Sequence, residues 1–261
     1  MHLSLEGKNA LVCGSTQGIG LAIAEELALL GANCTLIARN EEALKAAVHN
    51  LDIALRQQHG YLVADFSDPQ QVKNIIAQHV QQHPVHILIN NTGGPAPGSV
   101  LDATEEEFLQ AFNQHLIVNQ ILAKAVIPSM KEAQYGRIIN IISTSIRIPI
   151  TNLAVSGTVR GAVALWSKIL ANEVGRFNIT VNNILPGFTK TQRLQSLIQN
   201  NAQKRGVSTD VIEQEMTKEI PMKRFGDASE LAAVAAFLAS PAASYVNGVS
   251  IPVDGGKTGS L

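Results

Sequence analysis

Between Lys8 and Leu30 an apolar run, Asn9-Ala10-Leu11-Val12-Cys13, stops at Gly14-Ser15-Thr16-Gln17-Gly18-Ile19-Gly20 and gives way to residues at helical spacing. The pattern reads as a buried strand, a glycine turn and a helix. Glycines at 14, 18 and 20 allow backbone angles and close approaches that a β-carbon forbids, so a pyrophosphate can lie against bare amides. The helix that opens near Gly18 adds unpaired N–H groups and the positive end of its dipole. The same glycines would also serve a turn that binds nothing, and their spacing differs from the dinucleotide fingerprint Gly-x-Gly-x-x-Gly. The rest of the chain decides between the two.

Gly31 closes the first helix, and Asn33 to Ala38 is a second strand ending at Arg39-Asn40. Asn40 caps a helix expected to reach Gln57, with Gly60 closing it, before a third strand, Tyr61 to Ala64, ends at Asp65-Phe66. Asp68-Pro69-Gln70-Gln71 sets a cap, a proline at the first helical position and a glutamine at the capping-box position, for a helix to His83. Ile87 to Asn90 is a fourth strand, with Asn91-Thr92-Gly93-Gly94 at its exit and a stiff Pro95 to Gly98 loop beyond. Thr104-Glu105-Glu106-Glu107 opens helical sequence to about Gln134, and a fifth strand, Arg137 to Ile142, delivers Ser143 at its end. A helix over 152–176 and a sixth strand, Ile179 to Ile184, lead to Pro186-Gly187-Phe188-Thr189. Residues 189–225 are polar, helical and broken at Gly206, and read as a substrate lid. Asp227 caps the last helix, to Ser240, and Val249 to Val253 is a seventh strand.

Strands alternating with helices predict an α/β fold of the Rossmann type, a doubly wound, seven-stranded parallel sheet with helices on both faces. Ligands of such sheets lie beyond the carboxyl ends of the strands, where Gly14, Arg39, Asp65, Asn90 and Ser143 all fall. With 261 residues, 46% hydrophobic and 16% charged, the chain is expected to form a single dinucleotide-binding domain over 1–261. A net charge of −1 gives no overall footing for nucleic acid or a membrane surface. The longest apolar run, Leu231 to Ala239, is too short for a bilayer, the N-terminus lacks a signal-like segment, and a cytoplasmic location is expected. Cys13 and Cys34 fall in buried strands and read as reduced thiols, while the seven histidines show no ligand spacing, so no metal is expected.

The turn Gly14-x-x-x-Gly18-x-Gly20 resembles that of the short-chain dehydrogenases, and Asn90-Asn91-Thr92-Gly93 resembles their Asn-Asn-Ala-Gly stretch, with Thr92 in the alanine position. Pro186-Gly187 resembles the family segment beside the nicotinamide carboxamide. From about Leu5 to Gly256 the resemblance is to 3-oxoacyl-acyl-carrier-protein reductases in particular. It implies a nicotinamide cofactor bound by residues 14–20 (Gly14, Ser15, Thr16, Gln17, Gly18, Ile19, Gly20), by Arg39, Asn40, Asp65 and Phe66, and by Asn91, Thr92, Gly93, Arg160, Pro186, Gly187, Phe188 and Thr189. Arg39, where an NAD-preferring site would carry an acid, favours NADP(H), with NAD(H) as the alternative. The resemblance also implies a homo-oligomer, a tetramer, with Ala154, Val155, Val163, Ala164 and Leu165 offered as packing surface.

The family's catalytic groups are a serine, a tyrosine and lysine in Tyr-x-x-x-Lys, and an asparagine on an earlier helix. Here Ser143 keeps the serine position, but the tyrosine and lysine positions fall on Ser156 and Arg160, and the asparagine position on His115. A serine hydroxyl is a far weaker acid than a phenol, and arginine holds its proton. Arg160 can still hold ribose hydroxyls or stabilise an oxyanion, and a histidine at its ordinary pKa near 6.5 suits a proton donor. Two functions remain open. One is an NADP(H)-dependent oxidoreductase acting on a carbonyl, alcohol or acyl thioester. The other is a nucleotide-binding regulator or scaffold that keeps the fold without turnover. Ile146, Ile148, Pro149 and Ile150 could form an apolar wall, and Lys190, Arg193, Lys204 and Arg205 could meet a phosphopantetheine arm, although ordinary loop chemistry explains both groups.

Overall fold

Seven parallel strands form one sheet in the order β3-β2-β1-β4-β5-β6-β7, in a computed structural model that describes residues 1–260. The strands are β1 (Asn9–Cys13), β2 (Asn33–Ala38), β3 (Gly60–Val63), β4 (Ile87–Asn90), β5 (Gly136–Ile141), β6 (Ile179–Pro186) and β7 (Ser250–Val253). The helices are α1 (Gly18–Leu29), α2 (Glu41–His49), α3 (Pro69–His79), α4 (Glu105–Phe112), α5 (Val118–Glu132), α6 (Ala154–Val174), α7 (Gln192–Arg205), α8 (Thr209–Lys218) and α9 (Ala228–Ala239). The expected doubly wound sheet is therefore present. Its order reverses between β1 and β4, which opens a crevice at their carboxyl ends.

Alternation along each strand divides the core. Ala10, Val12, Cys34 and Leu36 face α1, α2 and α9, while Leu11, Cys13, Ile37 and Leu88 face α3, α5 and α6. Each fully buried leucine or isoleucine, such as Leu27 or Leu88, contributes about 1.5–3 kcal/mol. The end of α1 follows from Gly31, whose φ of 98° lets its own N–H reach Ala28 O at 2.8 Å and the Ala32 N–H reach Leu27 O at 3.0 Å. This double bond pattern satisfies carbonyls that the helix end would orphan.

The larger differences from the sequence reading lie at four boundaries. The second helix ends at His49, not Gln57: the Asp52 carboxylate takes the Ala54 amide at 3.0 Å, and Gln57 turns inward to donate to Ala28 O at 2.7 Å. A short acidic side chain that bonds its own neighbourhood competes with the helix. Gly60 accordingly starts β3 instead of closing a helix. The third helix ends at His79, and Gln71 does not close a capping box but accepts from the Asp65 amide at 2.7 Å. The long helix expected over 104–134 is divided by a π-helical turn, Asn113–Ile117, at whose centre His115 sits. Beyond β6, α7 and α8 share a small apolar cluster of Leu194, Ile198, Ile212 and Phe225, with Gly206 at φ 64° between them.

Candidate active site

The glycine turn is held shut from below. Asn91, one residue past β4, donates its Nδ2 to Gly14 O at 3.1 Å and Cys13 O at 3.3 Å. A β-carbon on Gly20 would lie 2.2 Å from Gly14 O, and one on Gly14 2.6 Å from Asn91 O. The residue before α1, Gln17, makes no side-chain cap, so the first amides of the helix stay open to a ligand. Ser15 is fully buried beside them, and its Oγ has no partner. These are the features a pyrophosphate needs: bare amides, a positive helix end and an unsatisfied hydroxyl.

At the end of β2, Arg39 lies close enough to Asp65 to act on its carboxyl, which the Ser67 amide above all holds below the usual carboxylate range. Asn40 spends its side chain on the Ala43 amide at 3.0 Å as the cap of α2. Phe66 packs into the core, so its side chain is not open to a ligand. Across the crevice, Thr191 caps α7 and lies against Gly18, within 3.3 Å of where a β-carbon would stand. Thr189 donates to Gly187 O at 3.2 Å, and Gly187 is packed so tightly on Asp254 that a β-carbon would come within 2.6 Å.

A chain of asparagines runs under the crevice. Asn90, Asn140 and Asn183 are in register on β4, β5 and β6, followed by Ser250 on β7. Asn90 donates to Asn140 Oδ1 at 2.8 Å, Asn140 to Asn183 Oδ1 at 2.9 Å and to Ser167 Oγ at 3.2 Å, and Asn183 to Ser250 Oγ at 3.0 Å. The ladder ties four strands together beside the candidate catalytic residues. Sequence reasoning singled out only Asn90. Asparagines at matching depth in three apolar strands were the signal, but register is invisible until the strands are paired.

Ser143 accepts from the Ser145 amide at 3.1 Å, which leaves its own hydroxyl hydrogen free to give. Arg160 is buried and donates from Nε to Ile142 O at 3.0 Å and from Nη1 to Ser156 Oγ at 2.6 Å. Burial first, and Arg193 second, lower its pKa to about 10, so it remains a cation at neutral pH. The structure thus brings Ser143, Ser156, Arg160 and His115 to one place between β5, α6 and the π turn.

His115 departs from its expected chemistry. Burial, then Arg160 and Arg193, push its pKa down to about 3, with a Gly93 backbone hydrogen bond acting weakly the other way. The ring is neutral at working pH, and its Nε2 is buried without a partner. It does not titrate near 6.5 in this state, so it is no ready acid.

Of the four cations singled out in the sequence, Lys190, Arg193, Lys204 and Arg205, two are committed: Lys190 to Asp227 and Arg205 to Glu215. Arg193 instead reaches across to Gly94 O at 3.1 Å and Pro95 O at 3.3 Å. Its approach to the centre was not legible, because nothing local ties α7 to the 94–95 loop. Ile146 packs inward, whereas Ile148 and Ile150 stay exposed. A separate hollow of about 530 Å³ lies at the amino ends of β1 and β5, lined by Lys8, Tyr135 and Arg137 among others. Arg137 there is bonded to the carbonyls of Gly136, Asn178 and Ser240, so its cation is already spent on backbone.

Residues 14–258 match the family model described as enoyl-(acyl carrier protein) reductase. The chain is 33% identical to the NADPH-dependent reductase BacG of Bacillus subtilis, over 97% of this chain and 99% of the relative. It is 34% identical to the 3-oxoacyl-[acyl-carrier-protein] reductase FabG of Pseudomonas aeruginosa, over 97% and 98% of the two chains. The structure of L-sorbose reductase from Gluconobacter frateurii, complexed with NADPH and L-sorbose, superposes with a TM-score of 0.94 at 30% identity over all of both chains. With the reversed sheet order, the glycine turn and these matches together, the chain belongs to the short-chain dehydrogenase/reductase family and resembles its 3-oxoacyl-acyl-carrier-protein reductases.

Proposed function

We propose that this chain is an NADP(H)-dependent oxidoreductase that moves a hydride between the cofactor and a carbonyl or alcohol. The observation that carries the reading is the convergence at the sheet's reversal point: the Asn91-clamped turn at Gly14 on one side, Ser143, Ser156 and Arg160 on the other. The name of the BacG relative and the NADPH in the L-sorbose reductase structure support the choice of cofactor. Arg39 supports it independently, as a cation at the position that meets the 2′-phosphate.

The 14–20 turn and the open end of α1 would hold the pyrophosphate, Arg39 the 2′-phosphate, Asp65 and the Phe66 backbone the adenine side. Asn91 to Gly93 and Pro186 to Thr189 border the nicotinamide end. The cofactor, when bound, would supply or take the hydride. Ser143 and Ser156 give their free hydroxyl hydrogens to the substrate oxygen, and Arg160 stabilises the negative charge that develops there. Neither serine is a proton source, so the final proton comes from water. Such a centre forgoes the roughly 10²–10⁴-fold that a positioned acid contributes, while the positioning of the two reactants is kept.

The domain is read as one dinucleotide-binding unit with α7 and α8 as a lid over the crevice. The lid's Thr191 and Arg193 contacts to the Gly18 turn and the 94–95 loop support this. A homotetramer is also proposed, on a changed surface. Val155 and Val163 are buried in the core and cannot form an interface, whereas Leu165 and Ile169 on α6 and Leu109 on α4 leave large apolar side chains in water. Two unpaired buried thiols suit a cytoplasmic setting. No helix of the described residues is long and apolar enough to cross a membrane. Nothing in the relatives favours the scaffold alternative. The test is NADPH consumption across ketones, oxo acids and 3-oxoacyl thioesters, with Arg39→Asp expected to reverse a preference for NADPH over NADH. Equal affinities of the parent for the two cofactors would sink the cofactor assignment.

A further inference from the structure

Arg160 is a buried cation with no acid beside it. Every ion pair among the described residues lies elsewhere, on Lys45, Lys190, Arg205, Arg224 and Lys257. A buried charge normally has a partner. Here a second cation comes to meet it instead. Arg193 is exposed as a residue, yet burial of its guanidinium against its surroundings lowers its pKa. Arg160 Nη2 and Arg193 Nη1 each lie 2.8 Å from the point where a β-carbon on Gly94 would stand, so they are no further apart than twice that distance. His115, whose Nε2 is buried and unpartnered, faces the same two arginines and is kept neutral by its burial first and by them second. Two adjacent cations, a neutral imidazole and no carboxylate form a cluster that lacks a negative charge.

The place of that missing charge is specific. Arg160 is bonded to Ser156 and to the carbonyl of Ile142, the residue before Ser143. An anion between the two arginines is therefore only a few bonds from the oxygen that the serines would hold. The hydrogen bonds formed within the protein leave Arg160 Nη2 and Arg193 Nε without an acceptor among the described residues, one donor for each oxygen of a carboxylate. Resting on the oxidoreductase reading, we propose that the substrate is an oxo acid. Its free carboxylate is held by Arg160 and Arg193, and its keto oxygen, two or three carbons away, by Ser143 and Ser156. A carrier-bound thioester has no charge at that distance and leaves both arginines unpaired. Reduction adds hydride to the keto carbon and a water proton to its oxygen, and the carboxylate is unchanged throughout.

Two measurements test this. Steady-state reduction at saturating NADPH compares 2- and 3-oxo acids with their methyl esters and with a 3-oxoacyl thioester. The acids are expected to exceed the esters in kcat/KM by about 100-fold, and Arg193→Leu is expected to bring that ratio below about tenfold, with Arg193→Lys recovering part of it. Calorimetry on the NADP⁺-loaded protein needs no turnover: isobutyrate is titrated against isobutyramide and inorganic phosphate. The carboxylate is expected to bind at least tenfold tighter than the amide, and Arg193→Leu to erase the difference. Esters or thioesters equal to the acids, phosphate bound in preference to isobutyrate, or a tenfold loss of NADPH affinity in Arg193→Leu, would each overturn the proposal. No turnover with any carbonyl would sink the oxidoreductase reading, while the isobutyrate titration would still decide whether the cluster takes a carboxylate.

Discussion

Arg160 donates to Ser156 from one helical turn further along α6, Nη1 to Oγ at 2.6 Å, with both side chains buried. An arginine has donors only, so the serine oxygen must accept, and its hydrogen is left for another acceptor. The pair works as an oriented, charge-backed hydroxyl. It differs from a phenol and ammonium pair in that it can polarise a carbonyl but cannot easily surrender a proton.

Removing the hydroxyl should therefore cost rate more than binding. Ser156→Ala is expected to lower kcat by about 10²-fold, the scale of one lost oxyanion donor, with KM changed less than threefold. Arg160→Met, which also strips the backing charge, is expected to lower kcat further. A Ser156→Ala enzyme with the parent's kcat would show that the hydroxyl is a bystander.

The glycine turn predicts a sharp steric result. Because a β-carbon at Gly20 would stand 2.2 Å from Gly14 O, Gly20→Ala must spread the turn and break the Asn91 clamp. NADPH affinity should fall by at least tenfold, measured by quenching of the dinucleotide's own fluorescence changes or by calorimetry. Gly7→Ala is a useful contrast: nothing lies within 4 Å of its β-carbon position, although its φ of 71° adds strain, so it should destabilise the fold and leave cofactor affinity unchanged.

The asparagine ladder makes a stability prediction. Asn140→Leu leaves the Asn90 amide and the Asn183 oxygen without their partners in a fully buried place. An unsatisfied buried group costs about 1–3 kcal/mol, so chemical denaturation should show a loss of about 2–6 kcal/mol for the two. A loss below 1 kcal/mol would mean that water or rearrangement replaces the ladder.

What could be read from the chain in advance divides along a physical line. Strands and most helices announced themselves through local periodicity and caps, as Thr104 and Glu107 did by forming the reciprocal box across the start of α4. The strand, glycine turn and helix at 9–29 were legible for the same reason, since glycine spacing is a local property. The π turn around His115 was not, because its one extra residue shifts the apolar face only once, and the stretches on either side each still read as helix. Arg193's reach to Gly94 spans ninety-nine positions and depends on how α7 is set against the sheet. The pKa of His115 failed for a related reason: residue type supplies the ordinary value, but burial and two distant arginines supply the shift.

That shift fixes the last prediction. His115 sits at about 3 in the folded protein and near 6.5 when unfolded. Between those values the unfolded chain binds a proton that the folded one does not, so stability rises with pH across the window. Its full contribution is present above pH 6.5 and is lost as pH falls toward 3. His79 and His86, also lowered by burial, act in the same direction. His115→Asn removes only its own share, so the fall in Tm from pH 7.5 to pH 4.5 should shrink by about 2–4 °C for each kcal/mol recovered without vanishing. The kinetic counterpart is a negative result with content: kcat/KM of the parent should show no His115 titration near 6.5, and His115→Asn should keep the parent's pH profile between 5.5 and 8. A parent rate that falls through pH 6.5 and flattens in the asparagine variant would mean that bound ligand restores the histidine's proton. In that event the ring, and not water, finishes the reduction.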